Sequence, residues 1–486
     1  MKYKTHMIIT LARPSLHLSL LYYLLGLTIL LLPLSVNSDT QSKIEAKSKK
    51  PPLAAVHEYV LDNGLKVLVK QDKRAPIAVM YIWYKVGSSY EQEGLTGVSH
   101  VLEHMMFKGT EKHPTGEFNR ILAENGAQDN AFTSQDYTAY YEVIASDRLE
   151  VAMELEADRM RGVLLPPEEF KKELEVVKEE RRWRTEDKPT SMTYEQFQAN
   201  AFINSPYRTP VIGWMTDLDN MTVKDARAWY EKWYTPNNAT LVVAGDVEPE
   251  AIHQMVQKYF ASIKRTDLPQ LKTQKEVKQI GLRSIQVKVP AKVPYLIMGY
   301  KSPNLLTAKE KWEPYALEVL ASVLDGGSSA RLVKELVRKQ EIATSVSASH
   351  SGYGRLPDLF TFSGIPAKNS NVSNLRKAIE VEIDKLKTQL VSDEELSRVK
   401  AQTIASEVYE RDSIQHQASV MGFLESVGLG HRLMDEYVDN IAAITAQQIQ
   451  AVAKKYLVED GLTVAELIPQ AIDPQKVHKP APALRH

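Results

Sequence analysis

The chain has 486 residues and no cysteine. No disulfide staples it and no lipidated cysteine anchors it, and since disulfide-free proteins occur on both sides of a membrane, this absence does not decide the compartment. Net charge is nearly absent too. The 60 basic and 61 acidic side chains leave −1, and no basic tract stands out. Nucleic-acid binding therefore has no electrostatic support. Long apolar runs are scarce, and one opens the chain, from about Leu18 to Leu34. Lys2, Lys4 and Arg13 precede it; Ser19, Gly26, Thr28 and Pro33 interrupt it. Val36 and Ser38 suit the −3 and −1 positions of a signal-peptidase site, so residues 1–38 read as a cleaved leader of an exported, periplasmic protein. About 17 apolar residues also reach the lower limit of a membrane span, which leaves an uncleaved anchor through residues 18–34 as the alternative. The chain touches a membrane only in that second case.

Histidine is rare, at 12 residues, yet two stand four apart in His100-Val101-Leu102-Glu103-His104. On a helix that spacing puts both imidazoles on one face, one turn apart, where they can reach the same metal ion. Glu103 borders the same place. The order His-x-x-Glu-His is the inverted form of a zinc-protease motif. Zinc suits imidazole donors, and an open coordination position lowers the pKa of water there to about 7. Two histidines do not complete a catalytic zinc site, so a third protein ligand is needed.

Candidates lie in the charged helical stretch Lys172–Arg184. Most of its charge is a solvated face. One stripe differs: Glu173, Val176, Val177 and Glu180 fall at i, i+3, i+4 and i+7, so two carboxylates share a face with two valines. Carboxylates on an apolar face are costly unless a cation offsets their desolvation. Glu179 points about 100° away from that stripe.

These two stretches resemble the pitrilysin/insulinase family of inverzincin metallopeptidases, in its shorter members, which include bacterial zinc proteases and the mitochondrial processing peptidase. In that family a glutamate ligand follows the His-x-x-Glu-His helix about 76 residues later, and Glu180 stands at that interval, inside Val176-Val177-Lys178-Glu179-Glu180-Arg181-Arg182. The resemblance implies one zinc per chain on His100, His104 and Glu180. It implies Glu103 as general base, and Glu173 as the acid that orients a ligating imidazole. It implies an endopeptidase acting on short or unfolded peptides, with a non-enzymatic subunit of the same fold as the alternative.

The rest of the chain reads as two domains of one plan. Residues 39–55 are polar and Lys-rich and read as a linker, as do 264–282, while 471–486 form a tail. About 430 residues between leader and end exceed one ordinary core. Strand patterns at Tyr59–Val69, around Asn63-Gly64, and at Ala78–Tyr84 open residues 56–263. A Thr- and Tyr-rich strand at Asn130–Val143, helices at Ile144–Leu164 and Pro167–Arg184, a buried strand at Ala239–Asp246 and a helix at Pro249–Ile263 complete this half. Residues 283–470 repeat the plan, with strands near Ser284–Val289 and Tyr295–Tyr300. Lys454–Ala465 echoes the Trp233–Val243 segment at an offset of about 222, as a duplicated domain would. The second half has no His-x-x-Glu-His. The expected fold is α+β: two homologous α/β rolls, each an antiparallel sheet with helices packed on it, in the clam-shell arrangement of the family.

The resemblance further implies that Asn130, Ala131 and Phe132 line the substrate, which adds to the strand edge through its backbone. Where the family has Gly-Gly just before this strand, the chain has Gly126-Ala127-Gln128-Asp129. In the second half, Asp325-Gly326-Gly327-Ser328-Ser329-Ala330-Arg331-Leu332 opens a helix to about Arg338, and Arg331 matches a family arginine that contacts substrate. The tyrosine that accompanies it in the family is Thr344 here, so a hydroxyl donor to the developing oxyanion is missing. Tyr353 lies near enough in sequence to substitute. In split family members a partner chain supplies the Arg/Tyr pair. The departure therefore implies a heterodimer with a paralogous chain, with a homodimer as the other arrangement.

Overall fold

The computed structural model describes residues 55–272 and 274–473. The expected leader, nearly all of the 39–55 linker and residues 474–486 of the tail lie outside them. Eleven strands are present among the described residues: β1 Val56–Val60, β2 Lys66–Gln71, β3 Ile77–Tyr84, β4 Gln128–Thr133, β5 Thr138–Ala145, β6 Ala239–Gly245, β7 Arg283–Pro290, β8 Tyr295–Ser302, β9 Ala343–His350, β10 Asp358–Pro366 and β11 Leu462–Gln470. The helices of the first half are α1 Val98–Met105, α2 Glu117–Glu124, α3 Leu149–Gly162, α4 Pro167–Arg181, α5 Pro189–Ala201, α6 Met215–Asn220, α7 Val223–Trp233 and α8 Pro249–Phe260. Those of the second are α9 Trp312–Asp325, α10 Val372–Thr388, α11 Asp393–Glu410, α12 Ile414–Ser426, α13 Leu433–Ala443 and α14 Ala446–Tyr456.

The first sheet has the order β1-β2-β6-β3-β5-β4 and the second β7-β11-β8-β10-β9. Without β1 the two orders are the same, position for position, which is the two-domain plan expected from the sequence. The sheets are mixed rather than antiparallel, which corrects the expectation. β2 runs parallel to β6 and β7 parallel to β11. In each half the last strand returns through a helical segment and inserts between the first and second strands of the repeat, and a parallel pair needs such a crossover. The sequence echo has a physical basis. Thr222 with Asp225 and Thr445 with Gln448 form capping boxes that start α7 and α14. Each helix then leads through a 3₁₀ turn into a central strand, β6 or β11.

Local boundaries also differ from the sequence reading. Asn130–Val143 is a hairpin, β4 and β5, because Ser134-Gln135-Asp136 favour a turn and the Ser134 N–H bonds to Tyr137 O at 2.8 Å. β5 runs on to Ala145, so the helix after it begins only at Leu149. The helix expected after Arg331 is a π-helical segment, Val333–Lys339, and α4 likewise passes into a π turn at Arg182–Glu186. Residues 264–272 and 274–282 carry no helix or strand. Glu276 stitches this linker to the first half by accepting hydrogen bonds from the Ile203, Asn204 and Ser205 N–H groups.

Each sheet buries one face against its own helices. The other face of each is covered by a helix from the opposite half. Ile414, Ala418 and Met421, at i, i+4 and i+7 of α12, pack on Tyr81, Trp83 and Val242 of the first sheet. Phe197 and Ala201 of α5 pack on Ile297, Leu359 and Ala465 of the second. Both exchanges depend on a glycine that lets an aromatic ring approach. A Cβ on Gly422 would lie 2.0 Å from the Trp83 indole nitrogen, and one on Gly299 would lie 2.5 Å from the Phe197 ring.

Candidate metal centre and cavity

α1 places Val101, Leu102 and Met105 in the core and His100, Glu103 and His104 on its remaining face. Its first turn is held by Glu91, whose carboxylate accepts the Gly97 N–H at 2.7 Å and the Ser99 N–H at 2.8 Å. The Gly97 N-cap offers no side chain for this. No local pattern in the sequence marks Glu91, which lies outside the helix it caps. α4 crosses α1 and brings Glu180 to the histidines. Glu180 Oε2 lies 3.6 Å from His100 Nε2 and 3.4 Å from His104 Nε2. All four polar side chains are nearly enclosed: His100 is 7% exposed, Glu103 8%, His104 3% and Glu180 2%.

Two imidazole nitrogens and a carboxylate oxygen within 4.8 Å of one another make a donor set that could hold a metal ion. Two zinc–ligand bonds of about 2.0 Å at a tetrahedral angle separate their donor atoms by about 3.3 Å, close to the spacing across Glu180 Oε2. The residues therefore fit zinc. Glu173, on the same stripe of α4, takes the other side of His104: its Oε2 lies 3.2 Å from Nδ1 and holds the ring with Nε2 turned to Glu180. Lys108 Nζ holds the second Glu173 oxygen at 2.7 Å. Arg184, from the π turn, holds Glu180 Oε1 at 2.8 Å, so Oε2 alone is turned to the histidines.

The electrostatics record the same crowding. Burial disfavours the charged form of His104, but hydrogen bonds to Glu173 and Glu180 prevail and raise it to about 9. Burial raises Glu180, yet His104, His100 and Arg184 outweigh it and lower the carboxyl to about 2. Burial pushes Glu103 up to about 7 against the hydrogen bond donated by Thr133 Oγ1.

The centre opens into a cavity of about 850 Å³, lined by His100, Glu103 and Glu180 and by residues 130–135. The second half contributes Tyr295 and Asp358. β4 is the edge of its sheet. The alternation of an antiparallel ladder turns the Ala131 N–H away from β5, and Asn130 Oδ1 accepts it at 2.8 Å. The turn beyond β4 is fixed by Asp136, which accepts hydrogen bonds from Ser89 Oγ at 2.7 Å, Arg355 N–H at 3.0 Å and the Tyr207 hydroxyl.

Asn130, Ala131 and Phe132 thus stand on the cavity wall, and the Phe132 ring also packs edge-on against Trp83. Arg331 does not line this cavity. Its guanidinium is held by both oxygens of Glu395, at 2.9 and 2.6 Å. That partner is distant in sequence, so the local pattern does not announce it. Thr344 sits on β9 and Tyr353 lines a separate cavity with Glu318 and Tyr437. Arg184 and Asp358 belong to the metal-side cavity and carried no distinguishing sequence signal, whereas Thr133 closes the Asn130–Thr133 strand edge that the family resemblance implies.

An insulinase (peptidase family M16) profile matches residues 66–213, and a peptidase M16 inactive-domain profile matches residues 220–403. The chain is 36% identical over 385 residues to zinc protease PqqE of Helicobacter pylori, covering 78% of this chain and 83% of that protein. It is 27% identical to the uncharacterized zinc protease YmxG of Bacillus subtilis, covering 83% and 96%. The crystal structure of a protease from Helicobacter pylori superposes with a TM-score of 0.81 at 30% identity, over 86% of this chain and all of that one.

Proposed function

The chain belongs to peptidase family M16, and from that premise we propose that it is a zinc-dependent endopeptidase cleaving short or unfolded peptides. The observation that carries this reading is the buried set His100, His104 and Glu180, with Glu103 beside it, at the wall of a cavity bounded by an open strand edge. Four buried polar side chains cost stability unless something compensates them, and a divalent cation does so. One zinc ion held there supplies Lewis acidity toward a peptide carbonyl and toward water.

The chain's own groups do the rest. The peptide lies as an added strand along β4, with its backbone against Ala131, so many sequences are accepted. Its arrival displaces the Asn130 side chain from the Ala131 N–H. Glu103, steadied by Thr133, takes a proton from the attacking water and passes it to the leaving nitrogen. Glu173 fixes His104, and Arg184 fixes Glu180.

The test is turnover of a quenched, unstructured peptide by zinc-loaded wild type and Glu103→Gln. The proposal expects turnover in wild type and a fall of about 10²-fold or more in the variant. No turnover by either protein, alone or with a partner, would end it.

A second reading is favoured by the pairing of Arg331 with Glu395 and by Thr344 in place of tyrosine. On it, a paralogous chain supplies an arginine and a tyrosine, and activity needs the heterodimer. Turnover that appears only on adding the co-purified paralogue would select it. We also propose export, on the pattern of residues 1–38, with cell fractionation as its check. No helix among the described residues is long and apolar enough to cross a membrane.

A further inference from the structure

A second cavity, of about 440 Å³, lies among α9, α11, α12 and α13 of the second half and shares no lining residue with the metal-side cavity. Its size is that of a small-molecule site. Much of its wall is apolar, from Val420, Phe423 and Leu424 of α12 and Leu433 and Met434 of α13. Tyr353, from the loop between β9 and β10, meets the Phe423 ring edge-on, 6.2 Å between centroids. No lysine or arginine lines this cavity, whereas three carboxylates do. Two of them have partners. Glu407 is held by Arg411 at 2.8 Å, and Glu410 Oε2 lies 3.5 Å from His416 Nε2. Glu318, on α9, differs. The Tyr437 hydroxyl donates to its Oε1, and its other oxygen has no hydrogen-bond partner among the described residues. Burial, helped by the like charge of Glu407, holds this carboxyl up at about 7.

Enclosing a carboxyl among apolar walls costs free energy that one neutral hydroxyl recovers only in part. A cation entering the cavity would recover more, since its charge meets the carboxylate and its N–H groups the free oxygen. Burial, and after it the Glu318 charge, push the Tyr353 hydroxyl up, so this ring stands within the field of the same carboxylate. An entering cation therefore finds an aromatic ring beside its counter-charge. A metal ion would use the donor set Glu407, Glu410 and His416 but leave the apolar wall unfilled. A hydrocarbon or aromatic body that carries an ammonium or guanidinium group uses both. We propose that this cavity is a second ligand site and takes a small organic cation, with its charge on Glu318 and its apolar body against Tyr353, Phe423 and Leu424. The site stands apart from the peptidase reading and needs neither zinc nor peptide.

The test is calorimetric titration of the zinc-loaded protein with phenylbutylamine at pH 8, where most of Glu318 is ionised. Phenylbutanol keeps the body without the charge, and butylamine keeps the charge without the ring. The site predicts one phenylbutylamine per chain, bound about tenfold or more tighter than either control. Glu318→Gln should bring the amine to within about twofold of the alcohol. Ser322→Leu, one turn along α9 from Glu318, fills part of the cavity and should weaken amine and alcohol alike. Each variant decides by itself, so a failure of either to fold leaves the other. His104→Ala, which removes a ligand of the first metal centre, should keep the amine affinity of wild type. An amine bound no tighter than the alcohol, no binding at millimolar concentration, or an affinity that Glu318→Gln and Ser322→Leu leave unchanged would overturn the proposal. So would an amine affinity lost in His104→Ala, which would place the amine on zinc.

Discussion

The two halves of this chain share a strand order and differ in what one helix carries. α1 and α9 hold the same place, each following the second strand of the common plan. α9 buries Ala316, Leu317, Val319, Leu320, Val323 and Leu324, and most of its surface is core. α1 spends three of its eight positions on His100, Glu103 and His104, all buried. The fold therefore does not need imidazoles at this place. The buried polar groups of the first half cost desolvation, which Glu173, Arg184 and Thr133 offset in part and a bound cation would offset further. The second half buries carboxylates of its own on α9, Glu313 beside Lys455 and Glu318 beside Tyr437, but gathers no imidazoles with them, and it gives the cavity Tyr295 and Asp358.

The largest effect should come from the metal. Chelation of zinc-loaded protein should lower stability by several kcal/mol, read as a fall in Tm, and His104→Ala should show neither zinc binding nor the chelator effect. His350→Ala, at a half-buried histidine of the second half, should leave the zinc stoichiometry unchanged. A chelator effect that survives His104→Ala would break the comparison.

The reciprocal packing of the halves predicts a matched pair. Gly422→Val and Gly299→Val should each cost about 3 kcal/mol in chemical denaturation, since each drives a branched side chain into a buried ring. A much smaller cost at one of them would mean that the two halves do not clasp each other equivalently.

A buried carboxyl in the second half sharpens the contrast through pH. Burial holds Glu318 up at about 7, against the hydrogen bond from the Tyr437 hydroxyl. Its folded pKa lies above the unfolded value of 4.5, so the folded state binds its proton more tightly. Stability from this group is full below about 4.5, falls as pH rises to about 7, and is then constant. Glu318→Gln should gain on wild type across that window, by on the order of 2 kcal/mol at pH 8 relative to pH 4.5. A pH-independent difference between the two proteins would contradict this.

The smallest effect is expected at Arg331. Its pair with Glu395 is partly exposed, so Arg331→Ala should cost 1 kcal/mol or less. Peptide turnover should stay within about twofold of wild type. A tenfold loss would show that Arg331 reaches substrate after all.

The sequence made much of this legible where spacing alone carries information. Four-residue spacing put His100 and His104 on one face, and seven-residue spacing put Glu173 and Glu180 on another. The strands of Ile77–Tyr84 and Ala239–Gly245 were legible because both faces are covered and the runs are continuously apolar. What stayed hidden depends on partners far along the chain. Glu91 caps α1 from outside it, Glu395 takes Arg331, and Asp358 reaches the cavity only when the second half docks. The direction of β6 and β11 was hidden for the same reason, because register and polarity are set by the crossover and not by the strand's own residues.

The account rests most directly on where zinc binds. Anomalous diffraction at the zinc edge from zinc-loaded crystals should give one strong peak, between His100 Nε2, His104 Nε2 and Glu180 Oε2. A second set of possible donors exists at Glu407, Glu410 and His416, with side chains that are more exposed. A single peak at the first site supports a metal centre confined to the first half. A peak only at the second set, or none in metal-replete protein, would contradict it.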